Sequence, residues 1–121
     1  MRRFFLIALL FSSIYACKPG IPKTVLPPEE MEKVWFDIHV VEGYASTLPT
    51  PDTAKKVASA YFKGVYKKYN IDSASYQKSL EYYYNHPKLM HEMYERVLER
   101  LSKAKERQSK LDLKRSVKPI Q

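Results

Sequence analysis

Cys17 is the single cysteine of this 121-residue chain, and a cysteine thiolate is a nucleophile able to take a thioether-linked lipid. With no second thiol, no disulfide forms within the chain. The three histidines, His39, His86 and His91, have no second histidine or cysteine at the spacing that zinc sites use. His86 reads as a turn residue and His91 as a surface one. Asp37, His39 and Glu42 invite an acid–base reading, but on a helix Asp37 and His39 diverge by about 200° and do not meet at one atom. Glu42 falls beside an apolar stripe. Its plainer reading is an edge carboxylate reaching His39 or a lysine, and its sharper one is a buried carboxylate accepting a hydrogen bond from a tyrosine of another helix. No G-x-S-x-G elbow occurs, and Gly20, Gly43 and Gly64 do not form a phosphate-cradling loop. The chain therefore reads as non-enzymatic, with no metal and no cofactor.

Chemistry at Cys17 has a clear context. Arg2 and Arg3 form a short positive segment, Phe4 to Phe11 is uninterruptedly apolar, and Ser12 to Ala16 shifts towards small residues. This is the layout of a secretory signal, and eight apolar residues are too few to span a bilayer. Ile14-Tyr15-Ala16-Cys17 resembles the lipobox of bacterial lipoproteins, with Tyr15 bulkier than the usual occupant of its position. The expectation is a leader over residues 1–16 that is removed, and lipid attachment at Cys17, so that membrane lipid is one partner. Lys18 follows the cysteine where an aspartate resembles an inner-membrane retention signal, so the resemblance implies an outer-membrane protein facing the periplasm.

The formal charge of +8 is concentrated at the ends. Two of the positive charges belong to the leader, and residues 103–121 hold seven bases against Glu106 and Asp112. Residues 17–102 are close to neutral, so the basicity belongs to a tail and not to the body. Ten tyrosines interleave with lysines in places, a combination that stacks on sugars or single-stranded nucleic acid. Helical spacing assigns most of them to packing instead, and no nucleic-acid partner is expected.

The elements that hold these residues follow from periodicity. Residues 17–27, with Pro19, Gly20, Pro22 and Pro27, have no apolar period and read as an extended spacer reaching roughly 30 Å. Pro28-Glu29-Glu30 suits the first turn of a helix, and Met31, Val34, Trp35, Ile38, Val41 and Ala45 continue it on one face. A loop over Ser46–Asp52 precedes a second helix carrying Ala54, Val57, Ala58, Tyr61, Phe62, Val65 and Tyr69. Asn70 to Ser73 is a turn with capping residues. A short third helix presents Tyr76, Leu80, Tyr83 and Tyr84, with Tyr82 pointing away. Pro87 opens a fourth, in which Met90, Tyr94, Val97, Leu101 and Ala104 keep a lengthwise packing seam. Glu92–Arg96 and Glu99–Lys103 are four-apart ion pairs on its wet face. The expected fold is an all-α bundle of about four helices over residues 28–106, followed by a basic disordered tail over 107–121.

Phe36, Val40 and Tyr44 are spaced four apart on the back of the first helix, which is therefore apolar on two sides. Either that helix sits centrally and is covered twice, or it offers a strip to a partner. The lipobox, Pro27-Pro28, Met31 followed by Trp35-Phe36-Asp37-Ile38-His39, Tyr66 and Tyr69 before Ile71, Ser79-Leu80, Tyr83-Tyr84, His86-Pro87, and Tyr94, Val97 and Leu101 are similar to a group of short lipoproteins from Bacteroidetes-type Gram-negative bacteria, a domain of unknown function. The resemblance covers roughly residues 14–105 and implies no catalytic residues. The expected function is a lipid-anchored envelope protein that binds or scaffolds, with an envelope protein as partner. The alternative is a chaperone-like or ligand-binding helical domain in the periplasm.

Overall fold

The computed structural model describes residues 20–117. The leader, the lipobox, Cys17 and the last four positions lie outside the described residues. Among the described residues the fold is all-α, with four helices in the order α1 (Pro28–Ala45), α2 (Pro51–Lys68), α3 (Ser73–Tyr84) and α4 (Pro87–Ser116). None of them is long and apolar enough to cross a membrane.

Local sequence sets most of the boundaries. Three helices open with proline at the first helical position, where its missing N–H costs no helical bond. Thr50 caps α2 by accepting the Thr53 N–H at 3.2 Å, and Asp72 caps α3 by accepting the Ser75 N–H at 2.7 Å. At the end of α2, Asn70 adopts a left-handed conformation with φ 52°, one that asparagine tolerates better than most residues. The Asn70 N–H then reaches the Lys67 carbonyl and the Ile71 N–H the Tyr66 carbonyl, at 3.2 and 3.0 Å. This double bond pattern turns the chain sharply into α3.

Helix α1 is the central element, packed against both α2 and α4. The pairs Asp37–Lys68 and Tyr44–Tyr61 show that α2 runs antiparallel to it. Glu32–Arg96 and His39–Tyr94 show the same for α4. All six residues of the expected α1 stripe are buried. Met31, Val34, Tyr83, Met93 and Val97 form the most deeply covered part of the core, and Trp35 sets its indole edge-on to Tyr83 at 6.2 Å between ring centres.

Four features differ from the sequence-based expectations. The residues expected to form a free spacer include a docked strap. Val25 is buried, and Ile21 and Leu26 pack on the core. A turn closes the strap through the Val25 N–H to the Pro22 carbonyl at 2.9 Å. Both backbone groups of Leu26 are satisfied by α3, the N–H by Ser79 Oγ at 2.9 Å and the carbonyl by the Tyr83 hydroxyl at 2.6 Å. Second, α3 buries Ser79, which receives the strap, while Tyr84 is 63% exposed.

Third, α4 is touched from two sides, so Met93, outside the expected seam, is fully buried, while Tyr94 stays partly open. Fourth, α4 does not stop near residue 106. It continues through Ser116, so residues 107–116 are helical rather than disordered. Residues 105–117 are all exposed, and the extension is supported by the four-apart contacts Lys110–Glu106 and Gln108–Asp112 and by bases in its last turn.

Candidate functional site

The plainer reading of Glu42 matches the geometry. Glu42 is exposed and its Oε2 lies 3.0 Å from Nδ1 of His39, which is half-buried. Neither is a buried polar group. The His39 ring meets the edge of Tyr94 at 5.7 Å. A carboxylate bonded to a tyrosine of another helix does exist, but it belongs to Asp37. The Tyr69 hydroxyl donates to Asp37 Oδ2 at 2.8 Å, and Lys68 Nζ donates to the same oxygen at 2.7 Å. Burial raises the Tyr69 phenol above its ordinary pKa, and the bond to Asp37 raises that of Lys68. With its acceptor oxygen held by two donors, Asp37 closes α1 onto the end of α2.

Glu32 carries the one buried charge among the described residues, at 3% exposure. Its Oε1 accepts from Arg96 Nε at 2.9 Å and Nη2 at 2.8 Å, while Arg100 Nη2 stands 3.7 Å from Oε2. Arg96 therefore turns to α1 and not to Glu92, contrary to the four-apart pairing expected on α4. Glu99–Lys103 forms as expected, at 2.6 Å. With one oxygen doubly bonded to Arg96 and the other facing Arg100 at 3.7 Å, Glu32 is an ion-pair tie between α1 and α4.

On the back of α1, Phe36 packs against the core, whereas Val40 is 49% and Tyr44 51% exposed. Tyr44 meets the ring edge of Tyr61 on α2 at 5.9 Å. The strip is thus divided, its first residue partly covered by the protein's own helices and the other two half open. Tyr82 is not free either, since it stacks on His86 with ring centres 4.1 Å apart. His91 lies on the surface beside Glu95, at 3.3 Å. No group of three or more metal-ligating side chains is assembled among the described residues.

The arrangement best suited to hold a ligand was not anticipated from sequence. A groove of about 650 Å³ runs between α2 and the start of α3. Ala58, Phe62 and Tyr66, four apart on α2, make its floor, and Ile71 closes one end. The left-handed Asn70 makes this possible, because it folds Ile71 back towards Tyr66. Tyr66 packs on Tyr76 at 5.6 Å and its phenol is raised by burial. Lys55, Lys63 and Lys67 rim the groove along one side of α2. None of the three has an ion-pair partner among the described residues, and the lining contains no acid. The signal in the sequence was present, as lysines recurring beside Ala58, Phe62 and Tyr66, but it looked like the ordinary wet border of an amphipathic helix.

A family model described as a domain of unknown function (DUF4296) matches residues 22–107. The matched span begins inside the docked strap and ends just past Ala104, the last partly covered residue of α4. No curated protein and no solved structure matches the chain.

Proposed function

The chain belongs to the DUF4296 family, a domain of unknown function, and we propose that it acts as a non-catalytic binding or scaffolding module of the bacterial envelope, anchored by lipid on Cys17. The observation that carries the binding role is the α2–α3 groove. It offers an apolar floor with an unpaired cationic rim, the complement of an acidic amphipathic segment that lays its apolar face into a groove. Support for the anchor comes from the leader and the Ile14-Tyr15-Ala16-Cys17 lipobox. The outer membrane, facing the periplasm, is the proposed location.

A photo-cross-linking residue placed at Ser59, inside the groove, tests the binding role in intact membranes against the same probe at exposed Gln77. One dominant adduct at Ser59, absent at Gln77 and lost in a Lys63→Glu background, is the expected outcome. Identical products from both positions would remove the groove from consideration. A broad set of unfolded polypeptides at Ser59 would favour the chaperone-like alternative. Fatty-acid labelling checks the anchor, since wild type should take up label and Cys17→Ala should not.

A further inference from the structure

A second cleft, of about 410 Å³, opens on another side of the bundle, between the N-terminal half of α1, the end of α2 and the middle of α4. Lys33, Lys68, Arg100, Lys103 and Arg107 line it, and Asp37 is the one acid among the lining residues. We infer that this cleft binds a phosphate-bearing anion, with the Phe36 and Tyr69 rings flanking the group that carries the phosphate.

The charge of the cleft is not compensated from within. Asp37 is bonded to Lys68 at 2.7 Å and to the Tyr69 hydroxyl at 2.8 Å. Lys103 holds Glu99 at 2.6 Å. Glu32 takes its short bonds from Arg96, leaving Arg100 at 3.7 Å, beyond hydrogen-bond reach. Lys33 and Arg107 have no ion-pair partner among the described residues. Three cations with donors to spare, Lys33 of α1 and Arg100 and Arg107 of α4, thus line one cleft.

The donor types narrow the anion. Two guanidinium forks come from α4 and an ammonium from α1, so the donors reach the cleft from two helices. A single carboxylate is satisfied by one fork, whereas a phosphate presents three terminal oxygens in a tetrahedral array and takes donors from several sides. The aromatic walls and the cleft volume leave room for a headgroup or a sugar ring beside the phosphate. The lysine-rimmed groove shares no residue with this cleft, so failure of either reading leaves the other standing.

Inorganic pyrophosphate is the probe, titrated calorimetrically into the full chain held in phosphatidylcholine nanodiscs. Binding should weaken by about tenfold for each base removed in Lys33→Gln and Arg107→Gln, variants whose unliganded melting should stay unchanged because neither base is paired. Lys114→Gln with Arg115→Gln removes twice the charge of either variant, from the end of α4, and should shift the affinity by less than twofold. Phosphatidylglycerol in the nanodisc distinguishes the sources. Competition with pyrophosphate that oleate at equal charge density does not reproduce identifies a lipid headgroup as the ligand, and absence of competition identifies a free phosphate ester. The inference is overturned by no pyrophosphate binding, or by an equal loss in the Lys114/Arg115 variant, which would reduce the effect to bulk charge.

Discussion

The strap offers a direct measurement of how the family domain begins. Tyr83→Phe keeps the ring that Trp35 packs against and deletes only the hydroxyl bonded to the Leu26 carbonyl at 2.6 Å. Ser79→Ala removes the acceptor of the Leu26 N–H at 2.9 Å. Each change leaves a covered backbone group without its partner, at a cost of about 1–3 kcal/mol. For a domain of this size that lowers Tm by roughly 5–15 °C. What still holds the strap is mainly buried Val25, contributing about 1.5–3 kcal/mol, with smaller amounts from Ile21 and Leu26. The double variant should therefore release the strap before the bundle unfolds. Trypsin reads this at Lys23, which is exposed inside the strap turn, and cleavage there should accelerate well below Tm. Alkaline pH gives a second readout. Burial pushes the Tyr83 and Tyr76 phenols up to about 12, so their contribution is intact below about pH 10, where the unfolded phenol titrates, and is lost as pH rises towards 12. Tyr83→Phe should remove part of that alkaline loss and leave the part due to Tyr76. Unchanged melting and unchanged cleavage at Lys23 in the double variant would refute the view that α3 holds the strap through these two bonds.

Glu32→Ala should cost about 2 kcal/mol in urea denaturation. This is less than the 3–5 kcal/mol of a fully buried pair, because Arg96 and Arg100 are 48% and 46% exposed and regain water. An effect below about 0.5 kcal/mol would show that Glu32 is not the tie between α1 and α4. On the back of α1, Phe36→Ala should destabilise by about 1–3 kcal/mol, while Val40→Ser and Tyr44→Ser should each shift stability by about 0.5 kcal/mol or less. Equal losses at all three would mean that the whole strip is covered.

Much of the architecture was legible because it rests on local rules. Pro28, Pro51 and Pro87 each begin a helix, and the α1 stripe from Met31 to Ala45 follows from spacing alone. What stayed hidden depends on contacts between distant residues. Glu32 reads as an ordinary surface acid until Arg96, 64 positions away, comes beside it. Met93 breaks the lengthwise seam because α4 is packed by both α1 and α3. The strap has no period at all, and its place comes from the side chains of Ser79 and Tyr83 together with the core that takes Val25. The groove escaped notice because a lysine row beside an apolar stripe looks the same whether or not a neighbouring turn walls it in. Ile71 supplies that wall only through the left-handed Asn70. The helical extension past Arg107 was missed because its support is charge pairing along one helix, with no apolar pattern to announce it.

The strap also changes the length of the leash. A free run from Cys17 to Pro27 would allow the domain to roam about 30 Å from its acyl chains. Once Ile21 is fastened to the core, only four residue steps separate it from Cys17, about 14 Å at full stretch. With lipid on Cys17, the volume open to the domain shrinks to roughly a tenth, since it scales with the cube of reach, and the effective concentration of anything embedded in the same leaflet rises about tenfold. Releasing the strap would lengthen the leash without altering a single binding residue, so Ser79 and Tyr83 would govern how far from the bilayer a partner can be met.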